Sequence, residues 1–177
     1  MEPSSSTSTS ATKKKHIERT IYLEQALTSV QAITLYDQLR QGIEWEQGVR
    51  SKQGFTRKAK AIDLFAYPNL TEIVHLILNK IQQEKNVKAK VIYEIYGTYL
   101  NYYQDGNMWT PNHSHPGTSQ LIISLGATRT LVLGKKEYQM KNGDAILFGS
   151  SVHGVPKDPT VKDGRISIAT FMRYVDP

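Results

Sequence analysis

Three of the five histidines have a spacing that suits a single metal site. His113 and His115 are two residues apart, and on a strand such residues face the same side. His153 follows a later strand pattern and can supply a third ligand from a neighbouring strand. Because imidazole nitrogen suits iron, zinc, nickel and copper, the pattern predicts a three-histidine metal centre.

The sequence around these histidines is typical of short strands. Residues rich in β-branched and aromatic side chains alternate with turn signals such as Asn142-Gly143. We expect strands at 90–96, 98–103, 120–125, 128–133, 137–140, 144–148 and 165–173. Closely spaced short strands predict a sandwich or barrel, which would hold the imidazoles in its interior.

Two helices are expected before the strands. Thr28 to Gln31 forms a capping-box pattern, which predicts a helix at 28–41 with Gly42 as its C-cap. A second capping box starts at Asn69 and opens an apolar stripe with helical spacing, beside which His75 is interpreted as structural. The predicted fold class is α+β, mainly β, with both helices packed outside a β-barrel.

Composition bounds the remaining possibilities. Residues 1–15 are a low-complexity segment, which we expect to be a disordered tail with His16 solvated beside it, and residues 16–177 form the expected domain. The chain has no cysteine, so we expect a reducing compartment, the cytoplasm or nucleus. It has no apolar run of membrane-spanning length, so we expect no membrane partner. We also expect a monomer. The net charge of +6 fits either a polyanion-binding surface or a solvated basic surface.

Several segments after residue 100 resemble the AlkB-type 2-oxoglutarate- and Fe(II)-dependent dioxygenases. The resemblance is carried by the residues at 101–103, 105–106, 109–115, 124–129, 143–144, 153–155 and 164–167, and it covers about 20–175. It implies a double-stranded β-helix (jelly roll) that uses Fe(II), 2-oxoglutarate and O2. It also implies oxidation of alkyl groups on nucleic-acid bases.

The resemblance assigns roles residue by residue. His113 and His153 match iron ligands, and Asn101 and Tyr103 match a pair that contacts 2-oxoglutarate. Arg165 matches the arginine that binds the distal carboxylate of 2-oxoglutarate, a task suited to the bidentate guanidinium. Ser167 lies two residues further along the same strand and can add a hydroxyl contact.

Two positions depart from the family pattern. His115 stands where the family has an aspartate or glutamate, so three neutral imidazoles replace two imidazoles and a carboxylate. Phe171 stands where the family has a second arginine. Arg173 can take over that cosubstrate contact if the strand slips or bulges, and is otherwise expected to be exposed.

The substrate side is less distinctive. The basic segment 55–60, which contains Arg57, falls where the family has a substrate-facing hairpin, and Trp109 can line a pocket or belong to the core. The leading hypothesis is an oxygenase that acts on alkylated nucleic acid. A catalytically degenerate nucleic-acid-binding module and a cupin-like metal protein without 2-oxoglutarate stay open as alternatives.

Overall fold

The computed structural model describes residues 19–48, 50–52, 54–84 and 92–175. The N-terminal elements are two helices and five short strands: β1 (Ile21–Leu23), α1 (Ser29–Gly42), β2 (Glu46–Gln47), β3 (Arg50–Ser51), β4 (Gly54–Phe55), β5 (Lys58–Ile62) and α2 (Pro68–Glu84). A 3-10 turn at Leu64–Ala66 precedes α2. Eight strands follow: β6 (Ile92–Tyr103), β7 (Thr110–His113), β8 (Ser119–Gly126), β9 (Arg129–Leu133), β10 (Lys136–Met140), β11 (Ala145–Phe148), β12 (His153–Val155) and β13 (Arg165–Val175).

The strands form two main antiparallel sheets. The larger has seven strands in the order β1-β11-β8-β13-β6-β5-β2, and the smaller has four in the order β10-β9-β12-β7. β3 and β4 make a separate two-stranded sheet. The prediction of a mainly β jelly roll with two helices outside it is confirmed.

Strand alternation divides the larger sheet into two faces. On β13, Ile166 and Ile168 belong to the core shared with the helices, whereas Arg165, Ser167 and Ala169 line a cavity on the other face. β6 and β8 flank β13 over most of its length, so their cavity-facing residues lie beside those of β13. The helices therefore pack on one face of the larger sheet, and the other face lines the cavity.

The first helix begins as predicted. Thr28 is its N-cap, and the capping box closes through Thr28 Oγ1 to Gln31 N at 3.2 Å and Gln31 Oε1 to Thr28 N at 3.0 Å. The predicted C-cap is wrong, because Gly42 is the last helical residue and Ile43 is the cap. The predicted cap of the second helix is also wrong: α2 begins at Pro68, whose fixed φ and missing N–H suit a first helical position, so Asn69 lies inside the helix.

The predicted break between 90–96 and 98–103 does not occur. β6 runs continuously through Gly97, which pairs with Phe171 of β13. The register shift between Phe171 and Met172 leaves Tyr96 as the extra residue on β6, and this bulge absorbs the irregularity. The low-complexity segment 1–15 and His16 lie outside the described residues. Neither described helix is long and apolar enough to cross a membrane.

Substitution of Ile123 tests the packing of β8 against the helices. Ile123 is 0% exposed and belongs to the core that includes both helices. Ile123→Ala should lower the free energy of unfolding in urea by about 2–5 kcal/mol, because it removes buried methyl groups and leaves a cavity. Val30→Ala is the control, since Val30 is 73% exposed on α1 and should change stability by less than about 0.5 kcal/mol. Equal effects of the two substitutions would contradict this packing.

Candidate metal centre and anion-binding cavity

Three imidazoles converge between the two sheets. His113 ends β7 and His153 begins β12, and the two residues are direct partners in the register of the smaller sheet. With His115, their candidate ligand nitrogens all lie within 4.8 Å of one another. The spacing is that of donors around one cation, so the structure brings together the three histidines singled out by the sequence.

Backbone carbonyls fix two of these rings. His113 Nδ1 lies 2.8 Å from the Pro111 carbonyl oxygen, and His153 Nδ1 lies 2.9 Å from the Ser151 carbonyl oxygen. Because a carbonyl oxygen can only accept, each Nδ1 carries the proton and donates it. This contact leaves Nε2 of each ring to bind a metal, the arrangement typical of metal-ligating histidines.

His115 is positioned differently from the sequence expectation. β7 ends at His113, so His115 lies in the following loop rather than on the same strand. The register with β12 ends at the pair of His113 with His153, and Pro116 has no N–H to continue a ladder. The His115 ring nevertheless reaches the other two, with its centroid 4.9 Å from that of His113.

Burial favours the neutral form of these ligands. Desolvation lowers the pKa of His153 to about 4, with smaller contributions from the two neighbouring histidines. Desolvation and the adjacent His113 also lower the pKa of His115. A neutral imidazole is the form that binds a metal ion, so both rings are in the ligating state at neutral pH.

A buried guanidinium lies in the same interior. Arg165 is 1% exposed; its Nε donates to Ser124 Oγ at 2.8 Å, and its Cζ lies 5.3 Å from the centroid of the Tyr103 ring. Its Nη1 has no hydrogen-bond partner among the described residues. Burial lowers the pKa of Arg165 to about 10, so the side chain stays charged near neutrality without a carboxylate beside it in the described part of the chain.

Polar side chains surround this guanidinium. The Asn101 amide accepts from Arg57 Nε at 2.6 Å and donates through Nδ2 to Ser167 Oγ at 3.3 Å. The Tyr103 hydroxyl lies 2.5 Å from Thr110 Oγ1. These residues, Arg165 and the three histidines line one cavity of about 490 Å³, which we call the central cavity. Its described lining contains two arginines and neither aspartate nor glutamate, so it suits an anionic ligand.

Not every residue proposed from the sequence reaches the central cavity. Trp109 is half-buried outside its lining, with Lys157 Nζ 5.7 Å from the centroid of its ring. Arg173 is exposed, and its Cζ lies 4.6 Å over the ring of Tyr96. The bulge at Tyr96 does not turn Arg173 inward, and Phe171 is the last residue of β13 on the cavity wall. His75, expected to be structural, is exposed on α2.

The sequence reasoning missed Gln120 as a cavity residue and missed the contact of Arg57 with Asn101. Gln120 is buried on β8, and its Nε2 has no partner within the described residues. Its position directly before the buried apolar run from Leu121 was a usable signal, because a lone amide in a buried strand requires a polar neighbour. The contact of Arg57 with Asn101 left no such signal, since 44 residues separate the two partners.

Comparison with known proteins bears on the fold. No protein-family model and no curated protein matches the chain. Among solved structures, the chain is similar to the collagen prolyl hydroxylase of Paramecium Bursaria Chlorella virus-1, determined as a 2OG complex, with 16% identity, 88% and 96% of the two chains covered and a TM-score of 0.61.

Two further structures are similar at the same level. A 2OG-Fe(II) oxygenase family oxidoreductase from Burkholderia pseudomallei is 16% identical, with 87% and 85% of the chains covered and a TM-score of 0.61. OsALKBH1 is 13% identical, with 85% and 96% covered and a TM-score of 0.62. At these identities the likeness shows the fold, a jelly roll shared with 2OG-Fe(II) oxygenases that include prolyl hydroxylases and an ALKBH1 protein.

Cobalt(II) binding tests the histidine cluster directly. His153→Ala should lower Co(II) affinity at least about a hundredfold, because it removes a ligand rather than an outer contact, whose loss already costs about 10–100-fold. Absorption of bound Co(II) in the visible range measures this. His75→Ala is the matched control, since His75 is exposed on α2, and it should leave the affinity unchanged. Unchanged affinity in His153→Ala would rule out the centre.

Proposed function

We propose that this protein is a 2-oxoglutarate- and Fe(II)-dependent oxygenase. The observation that carries the proposal is the pairing of a three-imidazole cluster with a buried, incompletely bonded guanidinium in one cavity that lacks carboxylates in its described lining. The cluster fits a divalent transition metal. The guanidinium fits the far carboxylate of an elongated dianion whose other end reaches the metal.

The donor set supports a position for each end of the cosubstrate. His113, His115 and His153 would hold Fe(II), while Arg165 would bind the distal carboxylate through the Nη1 that has no partner within the described residues. Ser167 lies on the same face of β13 as Arg165 and can add a hydroxyl contact. The likeness to a structure determined as a 2OG complex supports this assignment.

Charge makes a dianion the favoured occupant. Three neutral ligands leave the double charge of Fe(II) uncompensated, and Arg165 and Arg57 add further positive charge around the central cavity. In a site with a ligating carboxylate, the protein itself would offset part of this charge. Here the cosubstrate must supply the negative charge, so metal and 2-oxoglutarate should strengthen each other's binding.

The chain positions reactants and keeps water away. When bound, Fe(II) with 2-oxoglutarate and O2 supplies the oxidation of a substrate C–H bond. Arg57 holds the Asn101 amide, which in turn contacts Ser167, so the polar end of the cavity is fixed before the cosubstrate arrives. Apolar side chains, among them Ile122, Leu131 and Val155, line the remaining wall and limit water near the reacting carbon.

For the substrate we propose an alkylated base in nucleic acid, in line with the AlkB-type resemblance. Arg57 supports this class, because it follows β4 in the predicted substrate-facing segment and reaches the cavity. The net charge of +6 favours a polyanion over a neutral peptide. The likeness to OsALKBH1 is compatible with it, and the likeness to a collagen prolyl hydroxylase makes a prolyl peptide the competing outcome.

Turnover of 2-oxoglutarate to succinate tests both the oxygenase activity and the substrate class. With Fe(II) and O2, succinate formation should rise when an N-methylated single-stranded oligonucleotide is added, with release of formaldehyde, and stay at the basal rate with a prolyl peptide. Faster turnover with the prolyl peptide than with the oligonucleotide would overturn the proposed substrate class but not the proposed oxygenase activity.

Metal binding without 2-oxoglutarate binding would favour the cupin-like alternative. Salt-sensitive oligonucleotide binding that survives metal removal, without turnover, would favour the degenerate binding module.

Two arginines on β13 provide a matched pair for the cosubstrate contact. Arg165→Gln should weaken 2-oxoglutarate binding to the Zn(II)-loaded protein by about a hundredfold, because a hydrogen bond to a charged group contributes about 1.5–3 kcal/mol. Arg173→Gln removes the same charge at an exposed position and should change the affinity less than twofold. Calorimetry measures both. A larger loss in Arg173→Gln than in Arg165→Gln would overturn the assignment.

A further inference from the structure

The third imidazole lacks the anchor that holds the other two. Backbone carbonyls accept from His113 Nδ1 and His153 Nδ1, but within the described part of the chain no hydrogen bond fixes the His115 ring. His115 also lies beyond the end of β7, so the ladder does not restrain its backbone. Another contact must therefore select the ring orientation that faces the other two histidines.

Phe171 supplies that contact. Its ring centroid lies 5.0 Å from that of His115 with an interplanar angle of 64°, an edge-to-face geometry that is attractive between aromatic rings. Phe171 is half-buried on the wall of the central cavity and sits on β13, whose register with β6 and β8 fixes its backbone. A loop-borne ligand is thus packed against a ring carried by a central strand.

A row of side chains supports Phe171 from the surface. The Tyr96 ring lies 6.4 Å from Phe171 between centroids, and the Tyr96 hydroxyl lies 2.6 Å from Thr118 Oγ1. Because Thr118 follows His115 by three residues, the row ties the loop that carries the ligand back to the larger sheet.

The two departures from the AlkB-type pattern meet at this contact. The resemblance implies a carboxylate at position 115 and a guanidinium at position 171, and the structure places these two positions ring against ring. A guanidinium beside a neutral imidazole would add positive charge next to the metal without a partner. A phenyl ring adds none, so the residue at 171 suits the ligand at 115.

We propose that Phe171, supported by Tyr96, is the positioning residue that orients His115 for metal binding, and that His115 and Phe171 form an interdependent pair. The proposal rests on the metal-binding part of the proposed function and is independent of the cosubstrate and the substrate. Phe171 acts through His115 and need not touch the metal.

Paired phenylalanines test the positioning role with Co(II) alone. Phe148 packs on the anchored His153 with ring centroids 4.9 Å apart and is 1% exposed, so Phe148→Leu removes a similar ring from a ligand that keeps its carbonyl contact. Phe171→Leu should lower Co(II) affinity about tenfold, as loss of an outer-shell contact does, with little change in melting temperature. Phe148→Leu should lower the melting temperature more and the affinity less than about threefold.

The conservative variant Phe171→Tyr, which keeps the ring, should retain the affinity. Equal affinity losses in Phe171→Leu and Phe148→Leu, or an unchanged affinity in Phe171→Leu, would overturn the positioning role. Absence of Co(II) binding by the unsubstituted protein would overturn the metal centre as well. Absence of succinate formation alone would bear only on the oxygenase proposal.

A double-mutant cycle tests the interdependence. The effect of His115→Asp on Co(II) affinity should be about tenfold more favourable in the Phe171→Arg background than in the unsubstituted protein, because residues in contact couple and the carboxylate then gains a cationic neighbour. Phe65→Arg is the control background, since Phe65 is exposed at a distance along the chain from the site. The same effect of His115→Asp in all three backgrounds would show that the two positions are independent.

Discussion

A positive charge buried without a carboxylate is the constraint that organises this molecule. Burying a charge costs several kcal/mol unless it is paired, and Arg165 contacts the Ser124 hydroxyl and the Tyr103 side chain but no carboxylate among the described residues. The jelly roll must be stable enough to hold this unfavourable group in place. An anion that reaches the guanidinium would form the ion pair that the protein itself does not supply. The buried charge therefore destabilises the fold but favours the binding of an anionic ligand.

The central strands of the two sheets position the residues of the site. β13 places Arg165 at one end of the cavity wall and Phe171 at the other, and the flanking strands β6 and β8 hold its register. The smaller sheet contributes His113 and His153 as direct strand partners opposite that wall. The guanidinium and two of the imidazoles therefore sit on regular strands, and only His115 depends on a loop and on a side-chain neighbour.

Local patterns made part of this predictable. Strand alternation is a property of the backbone, so it predicted that Arg165 and Ser167 share a face, and turn residues predicted the succession of short strands. Contacts between distant segments could not be read in this way. The pairing of Arg57 with Asn101 and the packing of Phe171 on His115 arise only when the sheets close. Arg173 was uncertain from the sequence because the length of β13 that lines the cavity depends on the other strands, and the lining ends at Phe171.

Anaerobic titration of the Fe(II)-loaded protein with 2-oxoglutarate, followed by visible absorption, shows whether the histidines and the guanidinium bind the same ligand. Chelation of the metal by the 2-oxo acid, with the far carboxylate on Arg165, predicts a metal-to-ligand charge-transfer band that grows to saturation and is not produced by succinate, which lacks the 2-oxo group. Saturable Fe(II) binding with no such band at any 2-oxoglutarate concentration would contradict the central claim that the histidines and the guanidinium serve one ligand.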